Sequence, residues 1–326
     1  MNTMPRLLPT LQLMRFALVY TAISNVWLVA FISRSSPQEP AVDAVRQMPM
    51  ALLLLCTALV AGGLYVFGMV LNDVLDVRRD KVFAPNRPLP SGRMSVAAAI
   101  AIAFTALLIA VAASVPLGAA ATFVTLITAT LILFYDALAK HDPGIGVLTL
   151  GLIRGADMLI ANPDLAFAWP VWWNFTHILT LSAICYALER KRPLFSPRDG
   201  WIVTGGWAFV TISLIMWMGH RDTMILTDHP WVWVGPLGAA VVFIAMGVRT
   251  VHVAPDKSIA GAVLMRRGLL YLIVYDAAWL VSAAMWWQAA VLAALLVMAY
   301  GSMLTMRNLS AALGAEPRYI RDGKAT

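Results

Sequence analysis

An amide and three carboxylates recur over two helical turns in Asn72-Asp73-Val74-Leu75-Asp76-Val77-Arg78-Arg79-Asp80. If the segment is helical, Asn72, Asp76 and Asp80 stack in one row, because residues three and four apart share a face, and Asp73 lies beside Asp76 and Asp80. Carboxylates held this close repel one another unless a cation lies between them. Hard oxygen donors at this spacing suit Mg²⁺, which takes one or two protein carboxylates and fills its octahedron with phosphate oxygens and water. The chain then runs Asn86-Arg87-Pro88-Leu89-Pro90-Ser91-Gly92-Arg93, adding Arg87 and Arg93, whose planar guanidinium groups match phosphate oxygens. Most charge runs are solvated loops whose acids balance their bases. Regular spacing and a position at the edge of an apolar span favour metal-assisted phosphate binding here.

The elements that must carry these residues are apolar. The chain has 326 residues, 60% hydrophobic and 13% charged, with mean hydropathy +0.77. Soluble domains are nearer 45–50% apolar and about 25% charged. Apolar stretches long enough to cross a bilayer recur throughout, at about 15–33, 49–71, 94–115, 118–135, 145–162, 170–188, 201–219, 231–249, 267–286 and 288–306. The last two are separated only around Trp287, so a tight hairpin and one broken helix both fit. The expectation is an all-α polytopic transmembrane bundle of nine or ten helices, residues 1–313, with a short polar cytoplasmic tail, 314–326, that frays.

Lys and Arg concentrate in alternate loops: Arg78, Arg79, Lys81, Arg87 and Arg93; Lys140; Arg190, Lys191, Arg192 and Arg198; Lys257, Arg266 and Arg267. The opposite loops carry few, with Arg34, Arg46 and Arg221 as exceptions. This asymmetry places the amino terminus and the even-numbered loops in the cytoplasm, in a multi-pass protein of the cell inner membrane. It also accounts for the net charge of +7 without nucleic acid as a partner. Cys56 and Cys185 lie in apolar runs without metal-ligand spacing. No small-residue cleavage site ends the first apolar run early, which predicts an uncleaved first helix.

Asn-Asp-x-x-Asp-x-x-x-Asp followed by Asn-Arg-Pro-x-Pro-Ser-Gly-Arg, over 72–93, resembles the first signature of the UbiA superfamily of intramembrane prenyltransferases. Tyr135-Asp136-Ala137-Leu138-Ala139-Lys140 resembles the family's Tyr-Ser-x-x-x-Lys element after the fourth helix. The resemblance implies a UbiA-like bundle that transfers alkyl or aryl groups other than methyl, moving a prenyl group from an isoprenoid diphosphate to an unidentified acceptor. It implies Mg²⁺ on Asn72, Asp76 and Asp80. Asp73, Arg87, Arg93 and Lys140 would bind or neutralise the diphosphate, and Tyr135 would lie near the substrate. Members usually carry a second Asp-rich motif after the sixth helix, for a second Mg²⁺. Here that place reads Glu189-Arg190-Lys191-Arg192. Three readings are open: the cations replace the second metal, with Glu189, Arg190 and Arg192 at the substrate; the protein is a catalytically silent lipid-binding or metabolite-export component; or the cations only mark a cytoplasmic loop. The altered loop, with Gly151-Leu152-Ile153-Arg154 and Val274-Tyr275-Asp276-Ala277-Ala278, is similar to a divergent branch associated with Ebo operons.

Ionisable groups inside spans are costly and face a cavity or a partner. Arg154 and Asp157, three apart, suit an intrahelical ion pair or a substrate role. Asp276 suits the cavity or an interhelical hydrogen bond. Asn25 matches a polar position that family members place near the active cavity, and it equally suits helix packing. His220, Asp222, Asp228 and His229 fit no standard metal spacing and read as a solvated loop. The 12 tryptophans cluster near span ends as an interfacial belt. A small-solute transporter would show internal repeats or paired broken spans, and none is found.

Overall fold

The computed structural model describes residues 10, 16–36, 39–40, 43–191, 193–219, 230–312, 320–321 and 324–325. Its α-helices are α1 (Val19–Ser35), α2 (Asp43–Gln47), α3 (Met50–Leu75), α4 (Val77–Phe83), α5 (Val96–Ser114), α6 (Ala119–Ala137), α7 (Pro143–Leu159), α8 (Trp169–Leu188), α9 (Pro197–Gly219), α10 (Val234–Val253), α11 (Lys257–Ser282) and α12 (Trp286–Ala312). A two-residue antiparallel pairing, Ile320–Arg321 with Lys324–Ala325, lies in the tail. Apart from this pairing, the regular structure among the described residues is helical, as a bilayer demands of backbone that must satisfy its own hydrogen bonds.

Among the described residues, α3, α5, α6, α9, α10, α11 and α12 are the seven helices long and apolar enough to cross a membrane. The expected nine or ten spans included α1, α7 and α8 as well. α1 and α7 are 17 residues each, and α8 dilutes its apolar content with Asn174, His177 and several tryptophans. Ends are set by local chemistry. Ser95 caps α5, Asp142 caps α7 with Pro143 at its first position, and Asp256 caps α11. The cap at Asp256 starts α11 ten residues before the expected 267, so Lys257, Arg266 and Arg267 ride on a helix instead of a loop. Arg267 donates to Thr250 Oγ1 on α10 at 2.8 Å. Between α11 and α12 the chain makes a tight hairpin: Ala284 takes a left-handed φ of 57°, and Met285 N donates to Leu280 O at 2.8 Å.

α3 is the central post, packed on α5, α1 and α6, while α7 joins α6, α8 and α9, and α11 joins α8, α10, α12 and α1. A Cβ on Gly63 would lie 2.7 Å from Ala106 O and 3.0 Å from Ala110 Cβ, so α3 and α5 meet at backbone distance. A Cβ on Gly68 would lie 2.9 Å from Ile132 Cγ2 of α6.

At the end of the bundle away from the Asp-rich segment, Glu39, 1% exposed, accepts from Ala166 N at 2.8 Å and Phe167 N at 2.9 Å. Arg34 donates to Val45 O and Met48 O, and Arg46 to Glu39 O. These two arginines, exceptions to the loop-charge pattern, are thus taken up by backbone carbonyls of residues 39–48. Arg221, His220, Asp222, Asp228 and His229 lie outside the described residues.

Candidate functional site

Asp76 ends α3 and begins α4, yet the helical bonding passes through it. Asp76 N donates to Asn72 O at 2.9 Å, Asp80 N to Asp76 O at 2.8 Å, and Ala84 N to Asp80 O at 2.8 Å. Asn72, Asp76 and Asp80 therefore keep the row that their spacing predicts.

α3 and α6 run parallel toward this end, and contacts along and just beyond them keep one offset of 64 residues over two turns. Gly68 lies against Ile132. One turn on, Asn72 Nδ2 donates to Asp136 Oδ1 at 2.8 Å, 64 residues away. One turn further, Lys140 Nζ donates to Asp76 Oδ1 at 2.9 Å, again 64 residues away. Tyr135 is half-buried on the same stretch of α6. Arg87 reaches back from the Pro-rich loop to Asp80 Oδ2 at 2.6 Å and Asp73 Oδ1 at 3.5 Å. Leu89, 5% exposed and part of the core, pins that loop down. Asp73, Asp80 and Asp136 are 5%, 7% and 2% exposed, so these carboxylates are largely withdrawn from water. Arg93 turns to its own loop, donating to Ser91 Oγ at 3.1 Å and to Asn86 O.

The place of the second acidic motif is a helix end. Lys191 N donates to Tyr186 O and Arg190 N to Ala187 O, the paired bonds of a Schellman cap, with Arg190 at φ 47° where glycine is the usual occupant. Glu189 pairs with Lys191 at 3.1 Å, and Arg190 is exposed. Arg198, in the segment that follows, pairs with Asp142 two residues beyond Lys140, which puts this turn at the same end as the Asp-rich segment. Arg192 lies outside the described residues. Two acids that sequence reasoning passed over fasten the loops: Asp199 accepts from Gly144 N at 3.1 Å and from Ser196 N at 2.6 Å, and Arg198 pairs with Asp142 at 3.5 Å.

Asn25 is elsewhere. Val19 lies against Gly62, and Trp27 Nε1 donates to Leu54 O at 3.0 Å, so α1 and α3 are antiparallel. Asn25 is then level with about residue 56, and Asn72 lies about 16 residues, or about 24 Å, further along α3. There Asp276, 0% exposed, accepts from Ser24 Oγ at 2.6 Å, Asn25 Nδ2 at 2.8 Å and Asn174 Nδ2 at 2.9 Å. Arg154 donates to Asn25 Oδ1 at 3.1 Å. Among the described residues no ion pair joins Arg154 to Asp157, whose buried Oδ2 has no hydrogen-bond partner. Nearby, Trp169, Trp173, Trp233, Trp279 and Tyr275 pack edge to face, or tilted for Trp173 on Trp233, with centroids 5.0–6.1 Å apart. Trp279 is 1% exposed. These rings pack on one another around the buried Trp279, while Trp201, Trp231, Trp286 and Trp287 are exposed near helix ends, where an interfacial belt would lie.

Among the described residues no three His, Cys, Asp or Glu side chains converge as a ready-made metal cage. Mg²⁺ held through a phosphate needs only one or two carboxylates. The Asp-rich end offers four, Asp73, Asp76, Asp80 and Asp136, against the two paired cations Lys140 and Arg87. That hard-oxygen donor set fits one divalent ion held through a phosphate. The Glu189–Lys191 turn does not fit a second.

A model of the UbiA prenyltransferase family matches residues 27–193. The digeranylgeranylglyceryl phosphate synthase of Saccharolobus solfataricus is 40% identical over 138 residues, 42% of this chain and 48% of that protein. Its counterpart in Sulfurisphaera tokodaii is 30% identical over 142 residues, 44% of this chain and 49% of that protein. The chain thus spans about half the length of these curated relatives. A solved structure of a digeranylgeranylglyceryl phosphate synthase in membranes shares the fold, with a TM-score of 0.58 at 18% identity over 85% of this chain and 98% of that one.

Proposed function

Because the chain belongs to the UbiA prenyltransferase family, we propose that it transfers a prenyl group from an isoprenoid diphosphate to an acceptor at the Asp-rich end of the bundle. The observation that carries this reading is the meeting of two motifs 64 residues apart, Asn72 on Asp136 and Asp76 on Lys140. Prenyl transfer breaks an allylic carbon–oxygen bond, so its main demand is stabilisation of the departing diphosphate. Asn72, Asp76 and Asp80 would hold Mg²⁺, which when bound neutralises charge on the diphosphate. Lys140 and Arg87 rest on the same carboxylates and are the cations at hand for phosphate oxygens. Arg190, presented by a left-handed turn, supplies fixed positive charge where the family usually has a second acidic motif. The Lys/Arg-rich loops support a cytoplasmic location for this end, at the inner membrane.

The relatives' product, a glyceryl phosphate bearing two geranylgeranyl groups, makes a prenylated glyceryl phosphate the first acceptor to try. A second reading is a silent lipid-binding or export component, favoured by the Glu189–Lys191 pair in place of a metal site. Purified protein would be given farnesyl, geranylgeranyl and longer diphosphates with prenyl-glyceryl phosphate and aromatic acceptors, with and without Mg²⁺. Mg²⁺-dependent pyrophosphate release supports the transferase. Tight donor binding without release from any pair overturns it in favour of the silent reading.

A further inference from the structure

We infer that Asp136 is a positioning residue that fixes which edge of the Asn72 amide faces the metal, an inference that rests on the function proposed above. The two edges of a side-chain amide are nearly isosteric, and their orientation is set only by hydrogen-bond partners. An ionised carboxylate accepts and never donates. Beside Asp136, 2% exposed, Asn72 offers its NH₂ group, at 2.8 Å. The carbonyl oxygen, the only atom of that amide able to ligate a hard cation, is left to the other side. Asn72 shares its row with Asp76 and Asp80.

Two short side chains reach each other only where their backbones are close. Gly68 and Ile132 lie one turn before Asn72 and Asp136 respectively, and a Cβ at Gly68 would be 2.9 Å from Ile132 Cγ2. The missing side chain brings α3 and α6 together one turn below the bond. Partners that orient a metal ligand through its second polar edge are commonly worth about 10- to 100-fold in metal affinity.

The test is a double-mutant cycle on the full chain, reading the affinity for Mn²⁺ in the presence of farnesyl thiodiphosphate by electron paramagnetic resonance. Asp136→Ala weakens Mn²⁺ by about 10- to 100-fold. Asn72→Ala weakens it similarly, and the double variant loses no more than Asn72→Ala alone, because Asp136 acts through Asn72. Asp136→Asn, which keeps an acceptor oxygen but no charge, stays within about threefold of the parent, or about 0.7 kcal/mol. Gel filtration of each variant separates misfolding from weak binding, and Asn72→Ala and Asp136→Asn keep the question open if Asp136→Ala fails to fold. Parent-like affinity in Asp136→Ala overturns the inference. An undiminished loss in the Asn72→Ala background, or a loss in Asp136→Asn as large as in Asp136→Ala, does the same by making Asp136 a plain charge. If the parent releases pyrophosphate but the cycle fails, only the inference falls. If the parent neither binds Mn²⁺ with the donor nor releases pyrophosphate, the proposed function falls with it.

Discussion

In a Lys140→Met protein the carboxylate of Asp76 loses the ammonium that lies 2.9 Å from its Oδ1, while the methionine keeps most of the side-chain volume. Two effects of opposite sign follow. Without diphosphate, a divalent ion no longer competes with Lys140 for Asp76, so binding of the metal alone tightens. With diphosphate, a cation that would meet the leaving group is gone, and turnover falls. Both side chains of the pair are less than a fifth exposed, at 10% and 17%, so a charge-assisted hydrogen bond here keeps a net value of about 1.5–3 kcal/mol. At about 1.4 kcal/mol per factor of ten, turnover drops about 10- to 150-fold. Tightening of the metal alone sits at or below the lower bound, about tenfold, because water re-solvates part of the freed carboxylate. Mn²⁺ titration without donor measures the first effect and pyrophosphate release the second. Lys140→Arg should lie between the parent and Lys140→Met in both. If Lys140→Met weakens metal binding and turnover in parallel, Lys140 is a strut of the fold, and the reasoning that it alternates between Asp76 and phosphate is wrong.

Arg190→Gly removes a non-glycine residue from a left-handed position and should stabilise the protein by about 1 kcal/mol. It should also raise the KM for the prenyl diphosphate, so melting temperature and KM rise together. Asp276→Ala strands three buried donors, those of Ser24, Asn25 and Asn174. Because interhelical bonds in membranes average about 0.6 kcal/mol each, unfolding in mixed detergent micelles should show a loss of about 2 kcal/mol, and a smaller one for Asp276→Asn. Gly68→Val forces α3 from α6 where a Cβ already meets Ile132 at 2.9 Å. A cost of about 1–3 kcal/mol is expected, with donor binding lost alongside stability.

The sequence made the Asp-rich row legible because its logic is local: a four-residue spacing on one helix is a contact whatever the rest of the chain does. The long helices were legible for the same reason, although among the described residues only seven are long and apolar enough to cross a membrane, and boundaries shift where a cap at Asp256 or Asp142 outweighs hydropathy. Partnerships between helices were not. Arg154 and Asp157 share a helical face, yet Arg154 bonds Asn25 on α1, since which neighbour a face meets depends on the whole topology. The tryptophans sit near helix ends as an interfacial belt would, and only the packing of α8 on α11 turns several inward. Asp136 carried a signal that went unused: it is a charged residue where the resembling motif has a serine. Asp199 carried half of one: its pairing with Ser196, three residues away at the start of α9, is local, while its bond to Gly144 becomes meaningful only once α7 and α9 are adjacent.

The constant 64-residue offset between α3 and α6 also dictates where the gene tolerates a change of length. Each residue added to a helix rotates everything beyond it by about 100°. One residue inserted between Gly68 and Asn72, or between Ile132 and Asp136, therefore swings one half of both pairs off the shared seam, although no motif residue has been altered. One residue inserted in the turn Val115–Leu117 between α5 and α6 is absorbed at the far end of the bundle. The numerical spacing between the two motifs is thus free to drift through that turn, while the spacing from the glycine contact to each motif is not.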